Sequence, residues 1–208
     1  MDGVVYDLCI VGAGLIGSAA ARHATIISPA AKICLIGPKE PKTVEEKHGR
    51  TIFGAHYDEG RITRTLDPNP IWGVLANRSI ARYRDIEKRT GVKFFSEVGH
   101  MTICNKENED VIRMKEIATD LHVNFDIMDH KDVNKQFTYL NIDTYDVALL
   151  QSKGAGHVSP RSQLLAQQTA AHLQGCNIID DVIVHVTETN QLNGSVMKLT
   201  TEKGDILS

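Results

Sequence analysis

No two of the four cysteines, Cys9, Cys34, Cys104 and Cys176, lie within four residues of each other, so zinc-type pairing in sequence is absent. Positive charge is not in excess either. Twenty-three Lys and Arg against 26 Asp and Glu give a formal net charge of −3 with the nine His neutral. No global field therefore draws the chain to nucleic acid or anionic lipid. The longest apolar run falls far short of the roughly 18 residues that a membrane span needs. The start, Met1-Asp2-Gly3, lacks a basic region, and Val4–Val11 is interrupted by Asp7, so no signal peptide is expected. There is no internal repeat and no low-complexity tract. What remains is ordinary for a soluble globular protein: 42% hydrophobic and 24% charged residues, with a length that permits one large domain or two small ones. Cys9 and Cys34 sit in apolar runs and read as small buried residues; a reducing compartment fits, as does an organelle with free thiols.

The apolar, β-branched run Val4–Val11 predicts a buried strand that ends at Gly12. A small-residue helix follows over Leu15–Ile27, then a second strand over Lys32–Ile36, cut by Gly37-Pro38. Strand, glycine turn, helix and strand in this order make a βαβ unit with parallel strands and a right-handed crossover. Residues 38–70 are polar and carry no period, a long connection of the kind that is functional or disordered. Helical spacing returns over 71–89, 107–121, 129–137 and from Pro160 to Gly175. Strands are expected at 98–104 and 178–187. Val196–Thr200 and Ile206-Leu207 bracket the turn Lys203-Gly204-Asp205 as a hairpin.

The sharpest motif is Gly12-Ala13-Gly14-Leu15-Ile16-Gly17, a G-x-G-x-x-G with a strand before it and a helix after it. The first glycine permits the tight turn, the second lets a pyrophosphate approach the backbone, and the third lets helix and strand pack closely. The helix aims free N–H groups and its positive dipole end at the anion. The plain alternative is a βα turn that binds nothing. The second part of this fingerprint is altered. An acidic residue at the end of the second strand normally holds a ribose hydroxyl. Here Gly37-Pro38 occupies that place and Glu40 comes about three residues late. Glu40 either folds back to the ribose or is a solvated loop residue. No Arg takes the site in the sequence, which argues against a 2′-phosphate.

Three segments in order resemble one family, the FAD-dependent amine and amino-acid oxidoreductases of the D-amino-acid oxidase superfamily, in its monomeric sarcosine oxidase branch. They are the βαβ unit; His56-Tyr57-Asp58-Glu59-Gly60-Arg61-Ile62-Thr63-Arg64 with the helix and Gly91–Phe95 after it; and Gly156–Arg161 with its helix and Asp181-Val182-Ile183. The resemblance implies FAD as cofactor, Arg61 near the flavin ring as the catalytic cation, and Arg64 on the substrate carboxylate. A guanidinium can fork two N–H bonds onto a carboxylate, and a cation near the flavin favours its anionic reduced form. On the residues alone, both arginines could instead be solvated or paired with Asp58, Glu59 or Asp67. The resemblance also implies that Val182, in the strand 178–187, meets the adenine side of FAD through its backbone; the plain reading is a core strand position. A histidine common in the family just before the arginines is matched by Tyr57, with His56 beside it. A lone loop His is more often solvent-facing, and no base is assigned.

The family is about twice as long as this chain. The resemblance implies that these 208 residues are an N-terminal portion without the half that closes round FAD and that, in the sarcosine oxidase branch, carries a cysteine linked to it; none of the four cysteines matches that one. The expected fold class is α/β: a Rossmann-like FAD-binding domain over 1–65 and 155–208, and part of an antiparallel-sheet substrate domain over 66–154. The expected function is FAD-dependent oxidation of the C–N bond of a small amino acid or N-methyl amino acid. O2 is the expected acceptor, with no nucleic-acid partner, membrane span or metal, in the cytoplasm or a peroxisome-like organelle. A nicotinamide-dependent dehydrogenase and a catalytically inactive FAD-binding fragment stay open as alternatives.

Overall fold

A computed structural model describes residues 5–191 and 194–207. In chain order its elements are β1 (Leu8–Val11), α1 (Leu15–Ile27), β2 (Ile33–Ile36), α2 (Val44–His48), β3 (Arg61–Thr63), α3 (Pro70–Thr90), β4 (Phe95–Ser96), β5 (His100–Asn105), α4 (Glu109–Asp120), β6 (Asp126–Asp129), α5 (His130–Gln136), β7 (Asp146–Gln151), β8 (Gly156–Val158), α6 (Pro160–Leu173), β9 (Asn177–Ile179), β10 (Ile183–Gln191), β11 (Gly194–Thr201) and β12 (Asp205–Leu207). The class is mixed α/β. The chain divides into two compact units, one holding residues up to 59, 86–93 and from 160 on, the other holding 60–85 and 94–159. No helix among the described residues is long and apolar enough to cross a membrane.

The first unit is built on the parallel sheet β1-β2-β9, with Cys9 opposite Cys34 and Leu35 opposite Ile178. All four residues of β2 are buried, because both faces of a parallel sheet are covered. Their period of two sends them to different cores. Ile33 and Leu35 pack with Ala21, Ala171 and Cys176, on the side of α1 and α6. Cys34 and Ile36 pack with Tyr6 and Leu199, on the side of β11. Removing one such Leu or Ile side chain from water is worth about 1.5–3 kcal/mol. The Cys9 and Cys34 thiols are free and stand 3.1 Å apart, Cys34 fully buried and Cys9 half-buried. The α1–α6 contact uses small residues, Ala21 and Ala171 among them. Polar clips close it: Arg22 Nε donates to Gln167 Oε1 (2.6 Å) and Thr25 Oγ1 to Gln174 Oε1 (2.7 Å).

The single strand expected at 178–187 is two strands in two sheets. β9 ends the parallel sheet and β10 opens the antiparallel sheet β10-β11-β12. Residues 180–182 break between them, where Asp181 turns its carboxylate onto the neighbouring Val182 N–H (2.8 Å) and the distant Thr201 Oγ1 (2.7 Å). Val182 therefore lies in this break and not within a strand. The expected hairpin forms as β11-β12, with Thr200 opposite Asp205. The aperiodic stretch 38–70 contains a short helix, α2, held by a capping box between Thr43 and Glu46, and the strand β3.

The second unit carries two antiparallel sheets, β3-β8-β4 and β5-β7-β6. β7 feeds both of its faces: Leu149 packs with Leu66, Val111 and Met114, and Ala148 with Met128 and Val133. Gln151, fully buried at the end of β7, accepts at Oε1 from the Thr65 and Leu66 N–H groups and donates from Nε2 to the Lys153 and Gly154 carbonyls. It satisfies four backbone groups that the end of the sheet would leave unpaired.

Candidate dinucleotide site and arginine segment

In the first unit, Gly12 has φ +105°, a conformation that side chains rarely tolerate, and its N–H donates to the Ile36 carbonyl at 2.7 Å. A Cβ on Gly17 would stand 1.9 Å from the Gly12 carbonyl oxygen, so only glycine lets α1 pack this close to the turn. A Cβ on Gly14 would meet nothing within 4 Å. Gly14 is also the N-cap of α1, with no side-chain cap bond and no acidic residue in the first turn. The space over Gly14 and the uncapped helix end together suit an incoming phosphate. Ala13, Leu15 and Ile16 complete the turn, and Ile16 is strongly exposed. Sequence reasoning missed the brace behind it. Gln168 of α6 donates from Nε2 to the Ala13 carbonyl (3.0 Å) and to Ser18 Oγ (3.2 Å).

The carboxylate expected at the end of β2 is excluded sterically. A Cβ on Gly37 would lie 2.3 Å from the Ala13 nitrogen and 2.8 Å from its Cβ. Beyond this point lies a cavity of about 610 Å³, bordered by Pro38–Lys42, Arg50, Asp180, Asp181 and Val182, among others. Glu40 borders it, yet its Oε1 is held by Arg161 through Nε (2.8 Å) and Nη2 (2.7 Å); Nη1 of Arg161 takes Glu59. Glu40 is thus an ion-paired residue and not a freely solvated one. Although no Arg stands at the end of β2 in the sequence, the fold brings Arg50 to this cavity. Asp181 is buried there. Burial pushes its carboxyl up, but the bonds from Thr201 and Val182 outweigh this and hold it below its ordinary value. Val182 is half-buried, and its carbonyl accepts from the Glu202 N–H at 3.1 Å.

His56, expected in solvent, is buried, with its ring edge-on to Tyr57 at 4.7 Å. Phe53 stands edge-on to Tyr57 as well, 6.4 Å from it.

In the second unit, Arg61 is exposed on β3 opposite Val158. Arg64 lies just past the end of β3 and is half-buried. Its Nε donates to the Leu66 carbonyl (2.8 Å) and its Nη2 pairs with Asp67 (3.3 Å). These bonds fix the guanidinium and leave both N–H groups of Nη1, and the second of Nη2, as remaining donors. His100 of β5 feels this cation. Burial first, and Arg64 second, push its pKa below the ordinary 6.5, and its Nδ1 is buried without a partner among the described residues.

Residues 7–207 match the family described as DAO, FAD dependent oxidoreductase. The chain belongs to this family. The DAO match covers both the glycine turn and the arginine segment. Monomeric sarcosine oxidase of Streptomyces avermitilis is 27% identical over 205 residues, which is 92% of this chain and 50% of that protein. Two solved structures share the DAO fold. L-proline dehydrogenase from P. horikoshii has a TM-score of 0.73 at 15% identity, over 98% of this chain and 51% of that one. Glycine oxidase from Geobacillus kaustophilus has a TM-score of 0.72 at 17% identity, over 98% and 53%. The chain spans about half the length of the curated relative that it matches. FAD is the cofactor of the DAO family, and the open turn over Gly14 and the polar cavity past β2 fit its phosphates and its adenosine.

Proposed function

We propose that this protein is an FAD-dependent oxidoreductase acting on the C–N bond of a small amino acid or N-methyl amino acid, with O2 as acceptor. The observation that carries this reading is the match to the FAD dependent oxidoreductases over residues 7–207, taken with the glycine turn open at Gly14. The 27% identity with monomeric sarcosine oxidase supports the substrate class. Bound FAD supplies the redox chemistry by accepting hydride from the carbon next to nitrogen. The chain's own residues do the rest. The turn Gly12–Gly17 and the α1 N-terminus would hold the pyrophosphate. Val182 would border the adenine end; its N–H is spent on Asp181, but its carbonyl keeps a second lone pair beyond the bond from Glu202. Arg64, steadied by Leu66 and Asp67, would offer Nη1 to the substrate carboxylate. Arg61 would supply positive charge for the flavin ring.

The test compares these 208 residues with a polypeptide extended to the family's full length. Both are loaded with FAD and mixed without oxygen with sarcosine and a panel of small amino acids. Both should take up FAD. Bleaching of the flavin band, and H2O2 on readmitting air, is expected from the extended polypeptide alone. Hydride transfer needs a site that excludes water and fixes the substrate carbon, and half of the relative's length has no counterpart here. Turnover by the 208 residues above free FAD would overturn this division of labour. No flavin uptake by either would overturn the cofactor assignment.

A further inference from the structure

The cavity past β2 has an unusual charge arrangement for a ribose site. No carboxylate can stand at residue 37, because any side chain there collides with Ala13. Of the acidic groups around the cavity, Glu202 is exposed to solvent and the other four are engaged. Glu40 is held by Arg161, and Asp180 by the Lys39 ammonium (3.6 Å) and the Lys39 N–H (2.9 Å). Asp181 takes Thr201 and Val182, and Glu46 takes the Lys42 N–H (2.7 Å) and caps α2. Arg50 is different. Its Nη1 is buried and has no partner among the described residues, although it borders a polar space of about 610 Å³. A guanidinium has donors only, and a desolvated N–H without an acceptor is costly. An acceptor delivered by a ligand removes that cost.

We propose that Arg50 holds the adenosine ribose of the cofactor, donating from Nη1 to a ribose hydroxyl oxygen where this fold ordinarily uses a carboxylate that accepts from one. This rests on the reading that the unit binds FAD. Arg50 reaches the end of β2 because α2 and its C-cap Gly49 return the chain there, so the segment 38–50 supplies what residue 37 cannot. Reversing donor and acceptor also changes selectivity. A carboxylate repels a phosphate on the ribose, whereas a guanidinium does not.

The experiment measures dissociation constants of the 208-residue protein for FAD by flavin fluorescence, and for ADP, 2′,5′-ADP and FMN by calorimetry. The unsubstituted protein is compared with Arg50→Gln, Arg50→Lys and Arg50→Ala. Loss of one charge-assisted bond should weaken FAD and ADP about tenfold or more in Arg50→Gln and Arg50→Ala, and less in Arg50→Lys. FMN, which has no adenosine, should bind equally to all four. Without ligand, Arg50→Gln should melt no lower than the unsubstituted protein, because it removes a buried N–H that has no acceptor among the described residues; a normal melt also certifies its fold. FAD affinities within twofold across the series would overturn the role of Arg50 and leave the FAD reading intact. Preference of the unsubstituted protein for 2′,5′-ADP over ADP by tenfold would assign the guanidinium to a 2′-phosphate and overturn the proposal. Failure of that protein to bind either FAD or ADP would overturn both readings.

Discussion

Arg64 is held at Nε and Nη2 by its own neighbours, and this anchoring favours a binding role, because a guanidinium already fixed loses little freedom when a carboxylate arrives. Arg64→Ala in the polypeptide extended to the family's length should raise KM for an amino acid roughly ten- to a hundredfold, the loss of one charge-assisted pair. The matching amine without a carboxylate should be little affected; equal effects on both would reduce Arg64 to a structural residue. His100 beside it carries a pH dependence. Its pKa is lowered in the folded chain, so between that value and the ordinary 6.5 the unfolded chain binds more protons. Stability is complete above 6.5 and falls as the solution is acidified through and below it. Melting temperatures between about pH 8 and 5 should show this acid limb, and His100→Gln should flatten it. An unchanged limb in that variant would place the titration elsewhere.

At the scale of elements, the turn between β1 and α1 gives the cleanest test of dinucleotide binding. Gly14 has open space where a side chain would go, so Gly14→Val should fold while filling the approach to the helix N-terminus. Flavin uptake should be lost with the melting temperature changed little; uptake at the unsubstituted level would remove the turn from the site. This element was readable from sequence because everything that makes it is local: an apolar run, three glycines and a small-residue helix within about twenty residues. The break at 180–182 was not readable. It depends on Asp181 meeting Thr201, twenty residues on, a contact that the pair Asp180-Asp181 in the apolar run does not by itself declare. Residues 138–156 gave no strand either, yet β7 and the start of β8 lie there. β7 is apolar between Asp146 and Gln151 and pairs with both β5 and β6, and such a short buried run does not declare its type by period.

For the molecule as a whole, the class and the family were legible, while the wiring of the candidate site was only partly so. Glu40 reads as a loop residue until Arg161, 121 residues away in sequence, is brought to it. Arg50 sits in an aperiodic stretch, and only the fold returns it to the cavity beyond β2. Charges that act across such separations leave no local pattern, so spacing rules reach the glycines and stop short of the ions.

The brace from Gln168 to the Ala13 carbonyl joins residues 155 apart, and the third strand of the parallel sheet, β9, follows α6. The glycine turn is therefore braced only once α6 has been made, long after the turn itself. While residues 60–159 emerge, β1 and β2 wait with one edge of β2 unpaired, one face covered only by α1 and the face toward β11 uncovered. Closing so long a loop slows assembly more than it lowers final stability, and an unpaired strand edge is where nascent chains associate with one another. The intervening unit forms its β5-β7-β6 sheet from a contiguous stretch, while its β3-β8 pairing likewise waits for Gly156–Val158. The parallel sheet of the first unit thus keeps an open edge throughout the synthesis of the intervening unit.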